Sequence, residues 1–329
     1  MKKAIYVLSD HAFANIYGPD QQAAISDNVS VLGQFDAARV VTERELLAEV
    51  EFIFSGWGAP TMDAEFLAKT PKLEMVFYGA GSIKNMVTDA FWQRGIRVTS
   101  AYAANAIPVA EYTLSQILFC LKRGWHYALT TRQDGAYPKK VPVPGGFRST
   151  VGIISLGMIG RLVCQLLKPF DLNVIAYDPY ANEETAAELC VELCSLDQIF
   201  NRSDVVSLHT PWLRETEGMI RGHHFEQMRE NGSFINTARG AVVNEDEMIN
   251  VLRQRPDLQA VLDVTHPEPP RPGSPLYSLN NVVLTPHIAG AQDHECRRMG
   301  QYMVDELKRY LSGQPLAWEI HEQQAKTLA

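Results

Sequence analysis

At 329 residues the chain is long enough to bury two cores of ordinary size, and its 46% hydrophobic and 21% charged content belong to a soluble globular protein. A formal net charge of −8 excludes broad, sequence-independent binding to nucleic-acid phosphates, and no apolar stretch is long enough to span a bilayer. The five cysteines, Cys120, Cys164, Cys190, Cys194 and Cys296, are odd in number and scattered through apolar segments, which fits a reduced cytoplasm better than a disulfide framework.

Short β-branched runs alternate with helical patterns along most of the chain, which predicts parallel sheets with crossover helices. The first predicted strand is Ala4–Leu8. Its apolar run stops at Ser9-Asp10, too soon for a signal peptide. Strands Glu51–Phe54, Leu73–Tyr78 and Ile96–Thr99 follow. The turn Tyr78-Gly79-Ala80-Gly81-Ser82 follows a strand end where a substrate wall can form, and its bland alternative is a tight turn needing φ > 0; both can hold. The best helix is Pro108–Arg123, with Pro near its start and Lys122-Arg123-Gly124 as its stop. From Thr131 to Gly146, three prolines and three glycines predict a long extended connection. The later strands are Val151–Ser155, Asn173–Tyr177, Val205–Leu208, Ser233–Asn236, Ala260–Leu262 and Val282–Leu284, and a helix over Glu295–Leu311 ends at Ser312-Gly313.

Val151-Gly152-Ile153-Ile154-Ser155-Leu156-Gly157-Met158-Ile159-Gly160-Arg161 reads as strand, tight turn and helix start. A pyrophosphate fits such a helix N-terminus, because free N–H groups and the helix dipole point at it. Gly157 would let the backbone approach the phosphates and Gly160 would let helix and strand pack closely, with Met158 and Ile159 between them. Ser155 stands where the dinucleotide fingerprint has its first glycine, which weakens the motif. Asp178, about twenty residues on at the end of the next strand, strengthens it as a ribose-binding carboxylate. A carboxylate there repels a 2′-phosphate, and Pro179-Tyr180-Ala181 offers no Arg to bind one, so NAD is favoured over NADP. The bland alternative for Asp178 is a turn residue beside Pro179.

Three later strand ends carry Arg239, Asp263 with Glu268 nearby, and His287. In open α/β sheets the ligand crevice lies outside the carboxyl ends of the strands, so the three ends would face one crevice. Taken singly, Arg239 could be a surface guanidinium, Glu268 a solvated loop carboxylate, and His287 one of nine ordinary histidines. Together they supply a cation for a carboxylate and an imidazole that can give a proton to a carbonyl oxygen near neutrality.

The series Asn236-Thr237-Ala238-Arg239-Gly240, Leu262-Asp263-Val264-Thr265-His266-Pro267-Glu268-Pro269 and Leu284-Thr285-Pro286-His287-Ile288-Ala289-Gly290 resembles the D-isomer-specific 2-hydroxyacid dehydrogenases. The resemblance runs from about Glu51 to Gly313. It implies an α/β protein of two doubly wound parallel-sheet domains. A Rossmann NAD-binding domain over 104–288 would be inserted in a flavodoxin-like substrate domain made of 1–103 and 289–329. It implies an NAD-dependent oxidoreductase moving a hydride between NAD(H) and a small 2-hydroxy or 2-keto acid. Arg239 would bind the substrate carboxylate, His287 would be the acid/base, and Glu268 would tune and orient His287. The cofactor would be held by Gly157, Met158, Ile159, Gly160, Asp178, His209-Thr210-Pro211, Thr237, Ala238, Asp263, His287 and Gly290. Backbone N–H groups at Ala80 and Gly81 would hold the substrate carboxylate beside Arg239, and Trp57 would contact the substrate side chain. No metal is expected. A homodimer through the cofactor domain is implied, with the Thr131–Gly146 connection a candidate arm.

Two departures bear on the substrate. The loop Ser55–Pro60 lacks an Arg where phosphoglycerate-type members place a phosphate-binding cation, and Lys84 stands near where many members carry Asp. A competing class is an NAD(H)-sensing corepressor built on the same scaffold, since fold and cofactor do not fix function. The acidic charge and the absence of long interaction tails favour the enzyme.

Overall fold

The computed structural model describes residues 1–326. The chain separates into two compact units, one of Met1–Asn105 with the segment from Ala291 on, the other Ala106–Gly290. The crossings fall two residues beyond the expected ones. The first lies inside one long helix, Tyr102–Leu121.

The first unit is built on a five-stranded parallel sheet: β1 (Lys3–Val7), β2 (Ser30–Phe35), β3 (Phe52–Ser55), β4 (Met75–Tyr78) and β5 (Arg97–Ser100). Their spatial order is β2-β1-β3-β4-β5, the flavodoxin-like order. Alternate residues feed opposite faces, so each central strand must be largely apolar. Ala4, Tyr6, Phe52 and Phe54 enter one core with Met299, Met303 and Leu307 of the helix Cys296–Leu311. Ile5, Val7, Ile53 and Val76 enter the other. That late helix is therefore part of the first unit's core, which makes the unit discontinuous in sequence.

The second unit carries seven parallel strands: β6 (Thr150–Ile154), β7 (Asn173–Tyr177), β8 (Glu192–Leu193), β9 (Val205–Leu208), β10 (Ser233–Asn236), β11 (Gln259–Leu262) and β12 (Val282–Leu284). Their order is β12-β11-β10-β9-β6-β7-β8, the doubly wound dinucleotide order with one strand added. Val206, Leu208, Phe234 and Leu262 pack on one face, and Val151, Ile153, Ile235 and Val261 on the other. Two α/β parallel-sheet units are thus what the alternating pattern predicts.

The structure corrects four local expectations. β2 and β8 were not predicted. Pro108 lies inside the helix Tyr102–Leu121 rather than near its start. The left-handed stop after that helix is Arg123 (φ 51°), and a second helix, Gly124–Asp134, begins at once and takes in Thr131–Asp134 of the expected extended connection. A Cβ on Gly124 would sit 2.4 Å from the ring of half-exposed Phe119, so a larger residue there would displace that side chain.

Candidate active site

In the second unit one row of aligned residues ends the strands. Tyr177 pairs with Ile154, Ile154 with Leu208, Leu208 with Asn236, Asn236 with Leu262, and Leu262 with Leu284. The residues that follow this row are Asp178, Ser155, His209, Thr237, Asp263 and Thr285. All strands being parallel, their carboxyl ends share one edge, where ligands of open α/β sheets bind. The sheet register alone therefore gathers the cofactor and catalytic candidates of this unit.

His287 and Glu268 meet directly, with Nδ1 to Oε1 at 2.6 Å. Their side chains are 49% and 42% exposed, so the ring keeps its other nitrogen available to a ligand while Nδ1 is occupied. His287 sits at φ 55°, and its backbone N–H donates to the carbonyls of Asp263 and Thr285, each at 3.0 Å. Asp263 is buried, and its carboxylate organises this loop. It accepts from Thr285 Oγ1 at 2.6 Å, Ile288 N–H at 2.8 Å and Ala289 N–H at 2.9 Å. Tyr112 reaches the same Thr285 hydroxyl at 3.1 Å. Three charge-assisted bonds to one buried carboxylate hold His287 in a left-handed conformation that a non-glycine residue seldom adopts.

Arg239 follows β10 in the turn Thr237-Ala238-Arg239. The turn is braced by buried Asn236, whose Oδ1 accepts from Ala238 N–H at 3.0 Å and whose Nδ2 donates to the Arg239 carbonyl at 3.1 Å. The Arg239 guanidinium donates to the Ala238 carbonyl at 2.6 Å. Burial lowers its pKa, and the negative charge of Glu268 opposes that shift, so the two groups share one field. A half-sequestered guanidinium is a strong carboxylate ligand because little water competes for its fork. Gly240 lets this turn touch the Glu268 loop, since a Cβ there would lie 2.0 Å from the Thr265 carbonyl carbon. The Glu268 loop is further tied by His266 N–H to Glu245 Oε2 at 3.2 Å and by Thr265 Oγ1 to the Pro267 carbonyl at 2.9 Å. Thr237 is buried, with its hydroxyl 3.0 Å from that of Thr113.

At β6 the turn Ser155-Leu156-Gly157 opens the helix Met158–Leu167, with Gly157 as N-cap. A Cβ on Gly160 would lie 2.0 Å from the Ser155 carbonyl oxygen, whereas a Cβ on Gly157 would meet nothing within 4 Å. Gly160 thus serves helix–strand packing and Gly157 leaves open space at the helix N-terminus, as a pyrophosphate needs. Asp178 accepts from Leu156 N–H at 2.7 Å and Tyr180 N–H at 2.8 Å. A carboxylate offers about four lone-pair sites, so ribose hydroxyls can still be accepted. These residues fit a dinucleotide. Met158 is exposed beside the open turn, and Ile159 packs partly against the core. His209 is buried, its Nε2 3.0 Å from Ser207 Oγ, and desolvation pushes its pKa down to about 3. It is neutral near pH 7, and its buried Nδ1 has no hydrogen-bond partner among the described residues. Buried Thr210 instead turns its hydroxyl to Ser155, at 2.7 Å, and the Pro211 carbonyl accepts from Thr216 Oγ1 at 2.6 Å. Gly290 ends the His287 loop.

In the first unit, Ala80 and Gly81 follow β4. Their carbonyls accept from Ser100 Oγ at 2.9 and 2.5 Å. Their N–H groups donate to no protein acceptor among the described residues, which leaves them able to hold a carboxylate. The turn does not use φ > 0 at Gly79 or Gly81, against the tight-turn alternative. Gly79 is required by close approach, a Cβ there lying 2.8 Å from Ile16 Cγ2 and 2.9 Å from the Tyr17 hydroxyl. Trp57 is partly exposed on the loop after β3, its carbonyl accepting from Ser9 N–H at 3.0 Å.

Asp197, His223 and His224 are the one set of potential metal ligands that cluster among the described residues. They do not fit an ion. His224 Nδ1 accepts the Arg221 N–H at 3.0 Å, so the neutral ring carries its proton on Nε2, the nitrogen facing Asp197 at 3.9 Å.

Sequence reading missed Asn236, Thr113, Tyr112, Thr285 and the positioning role of Asp263. Asn236 had a signal, because Asn before a tight turn often caps the N–H two residues on. The others make contacts over long sequence separations.

Residues 115–289 match the family model for the NAD binding domain of the D-isomer specific 2-hydroxyacid dehydrogenases. The D-3-phosphoglycerate dehydrogenase of Archaeoglobus fulgidus is 31% identical over 256 residues, covering 78% of this chain and 48% of that protein. The chain thus spans about half the length of the curated relatives it matches first. A D-isomer specific 2-hydroxyacid dehydrogenase from Lactobacillus delbrueckii ssp. bulgaricus, solved in its NAD complexed form, has the same fold, with a TM-score of 0.81, 22% identity and coverage of 98% of this chain and 100% of that one. So has a phosphoglycerate oxidoreductase from Rhizobium etli, with a TM-score of 0.81, 23% identity and coverage of 98% and 99%. The chain belongs to the D-isomer specific 2-hydroxyacid dehydrogenase family, and its second unit is the family's NAD-binding domain.

Proposed function

We propose that the protein is an NAD-dependent reductase of a small, unphosphorylated 2-keto acid, or the reverse dehydrogenase of the 2-hydroxy acid. The observation that carries this reading is the 2.6 Å His287–Glu268 pair, set on the same sheet edge as Arg239 and the Gly157 turn. Arg239 holds the substrate carboxylate and polarises the keto oxygen, with the N–H groups of Ala80 and Gly81 as further carboxylate donors. His287, charged and steadied by Glu268, passes a proton to the keto oxygen as C2 is reduced. NADH, when bound, supplies the hydride. Gly157, Gly160 and Asp178 hold the dinucleotide, and the contacts of Met158, Ile159, His209, Thr210, Pro211, Thr237, Ala238, Asp263, His287 and Gly290 with it belong to the same proposal. Asp178 and the lack of an Arg in Pro179-Tyr180-Ala181 favour NADH over NADPH.

Several relatives bear the name D-3-phosphoglycerate dehydrogenase, yet the loop Ser55–Pro60 carries Trp57 and no cation for a phosphate. We therefore assign an apolar substrate side chain to the Trp57 contact. We also assign a homodimer through the NAD-binding unit, on which Phe119, Tyr137, Val141, Val143 and Phe147 are all exposed. A reducing cytoplasmic setting suits the five free cysteines. Among the described residues no helix is long and apolar enough to cross a membrane.

The test is NADH oxidation with glyoxylate, hydroxypyruvate, pyruvate, phenylpyruvate, branched 2-keto acids and 3-phosphohydroxypyruvate. An unphosphorylated acid should give the highest kcat/KM. Preference for 3-phosphohydroxypyruvate would overturn the substrate assignment, and no turnover with any acid would overturn the reaction.

A further inference from the structure

Ser155 stands at φ 76°, a conformation that favours glycine, at the very position where the dinucleotide turn ordinarily has one. A side chain there costs about 1–2 kcal/mol of backbone strain, which persists only where neighbours fix it. Three contacts do so. Ser155 N–H donates to the Tyr177 carbonyl at 2.7 Å, at the end of β7. Its hydroxyl lies 2.7 Å from that of Thr210, just past the end of β9. Its carbonyl presses on the helix through Gly160, where even one added carbon would lie 2.0 Å away. The next residue, Leu156, is held by Asp178 at 2.7 Å. Thr210 is buried, so its hydroxyl has no ready exchange with bulk water.

We propose that the Ser155–Thr210 hydroxyl pair is a clasp that holds the pyrophosphate turn in its binding shape, making both side chains positioning residues for the dinucleotide. A glycine at 155 would leave the turn free to sample both signs of φ, and each NADH bound would have to order it. The clasped serine has that order in place beforehand, which raises affinity without adding a contact. The inference rests on the reading that NADH binds at the Gly157 turn.

The test is NADH affinity by fluorescence, with thermal stability measured alongside, for the full chain and its variants. Ser155→Ala and Thr210→Val should each weaken NADH by about three- to tenfold, the equivalent of one net hydrogen bond. The double variant should be no weaker than either single one, because both remove the same link. Thr210→Ser keeps the hydroxyl and should bind NADH as the parent does. Ser155→Gly gives the decisive contrast: the strain is relieved, so the melting temperature should hold or rise while NADH binding weakens. A residue that merely supports the fold would move both in the same direction. Unchanged affinity in the single variants, additive losses in the double, or full affinity in Ser155→Gly would overturn the clasp. A parent protein that fails to bind NADH would instead remove the cofactor reading on which the clasp depends.

Discussion

Replacing Asp263 with Ala should disable the catalytic loop from behind. Asp263 is buried and accepts three bonds, from Thr285 Oγ1, Ile288 N–H and Ala289 N–H, all at 2.9 Å or less. Ile288 is exposed enough for its freed N–H to find water, but Ala289 is buried and its N–H would be left unpaired. A buried orphan donor costs about 1–3 kcal/mol, and each lost bond to a charged acceptor about 1.5–3. Relief of the buried carboxylate's desolvation offsets part of this, leaving roughly 3 kcal/mol against the loop. For a unit of this size that is a fall of roughly 6–12 °C in melting temperature if the loss is global. If the loop alone yields, His287 leaves its φ of 55° and the Glu268 pair is lost, so kcat/KM should fall at least about a hundredfold. Asp263→Asn keeps the shape but turns an NH₂ towards one of the donors, and should fall between the parent and Asp263→Ala. The assays are a thermal melt and NADH oxidation with the best 2-keto acid. An unchanged melting temperature together with an unchanged kcat/KM would refute the positioning role.

Glu268→Gln removes the negative charge at 2.6 Å from His287 Nδ1 while keeping its shape. The ring then loses a charge-assisted bond, so kcat/KM should fall by about tenfold while NADH affinity holds, and an unchanged kcat/KM would break the pair. Arg239→Lys keeps a charge but loses the bidentate fork, so kcat/KM should still drop sharply, and near-normal turnover would take Arg239 out of the substrate site. Asp178→Ser should narrow the preference for NADH over NADPH, and a parent protein that already prefers NADPH would contradict the role given to Asp178.

Most of the fold was legible because parallel strands buried on both faces must be largely apolar, as Phe52–Ser55 and Val205–Leu208 are, each with one buried serine. β2 hid because it is a half-exposed edge strand interrupted by Gly33, and β8 because two residues make no pattern. Pro108 misled because a proline usually opens a helix, whereas here the turns on both sides continue through it. Arg239, Glu268 and His287 were picked out by the family resemblance together with their place after strand ends, and the His287–Glu268 contact was expected on that basis. What holds them was not. Asp263 organises residues more than twenty positions away, Thr113 meets Thr237 across 124 positions, and Gly240 matters for what it lets approach rather than for its own conformation. The Ser155 departure was visible in sequence, but its resolution by Thr210 depends on β6 and β9 being neighbours, a fact of topology.

On the proposed mechanism His287 passes the proton, while the Gly157 turn and Asp178 do most of the holding of the dinucleotide. The most direct measurement is single-turnover NADH oxidation by His287→Ala with a saturating 2-keto acid, alongside NADH binding by fluorescence. The rate should fall by about 10²–10⁴, the usual contribution of a positioned acid, while NADH affinity stays close to that of the parent because the Gly157 turn and Asp178 are untouched. Full activity in His287→Ala would contradict the account at its centre.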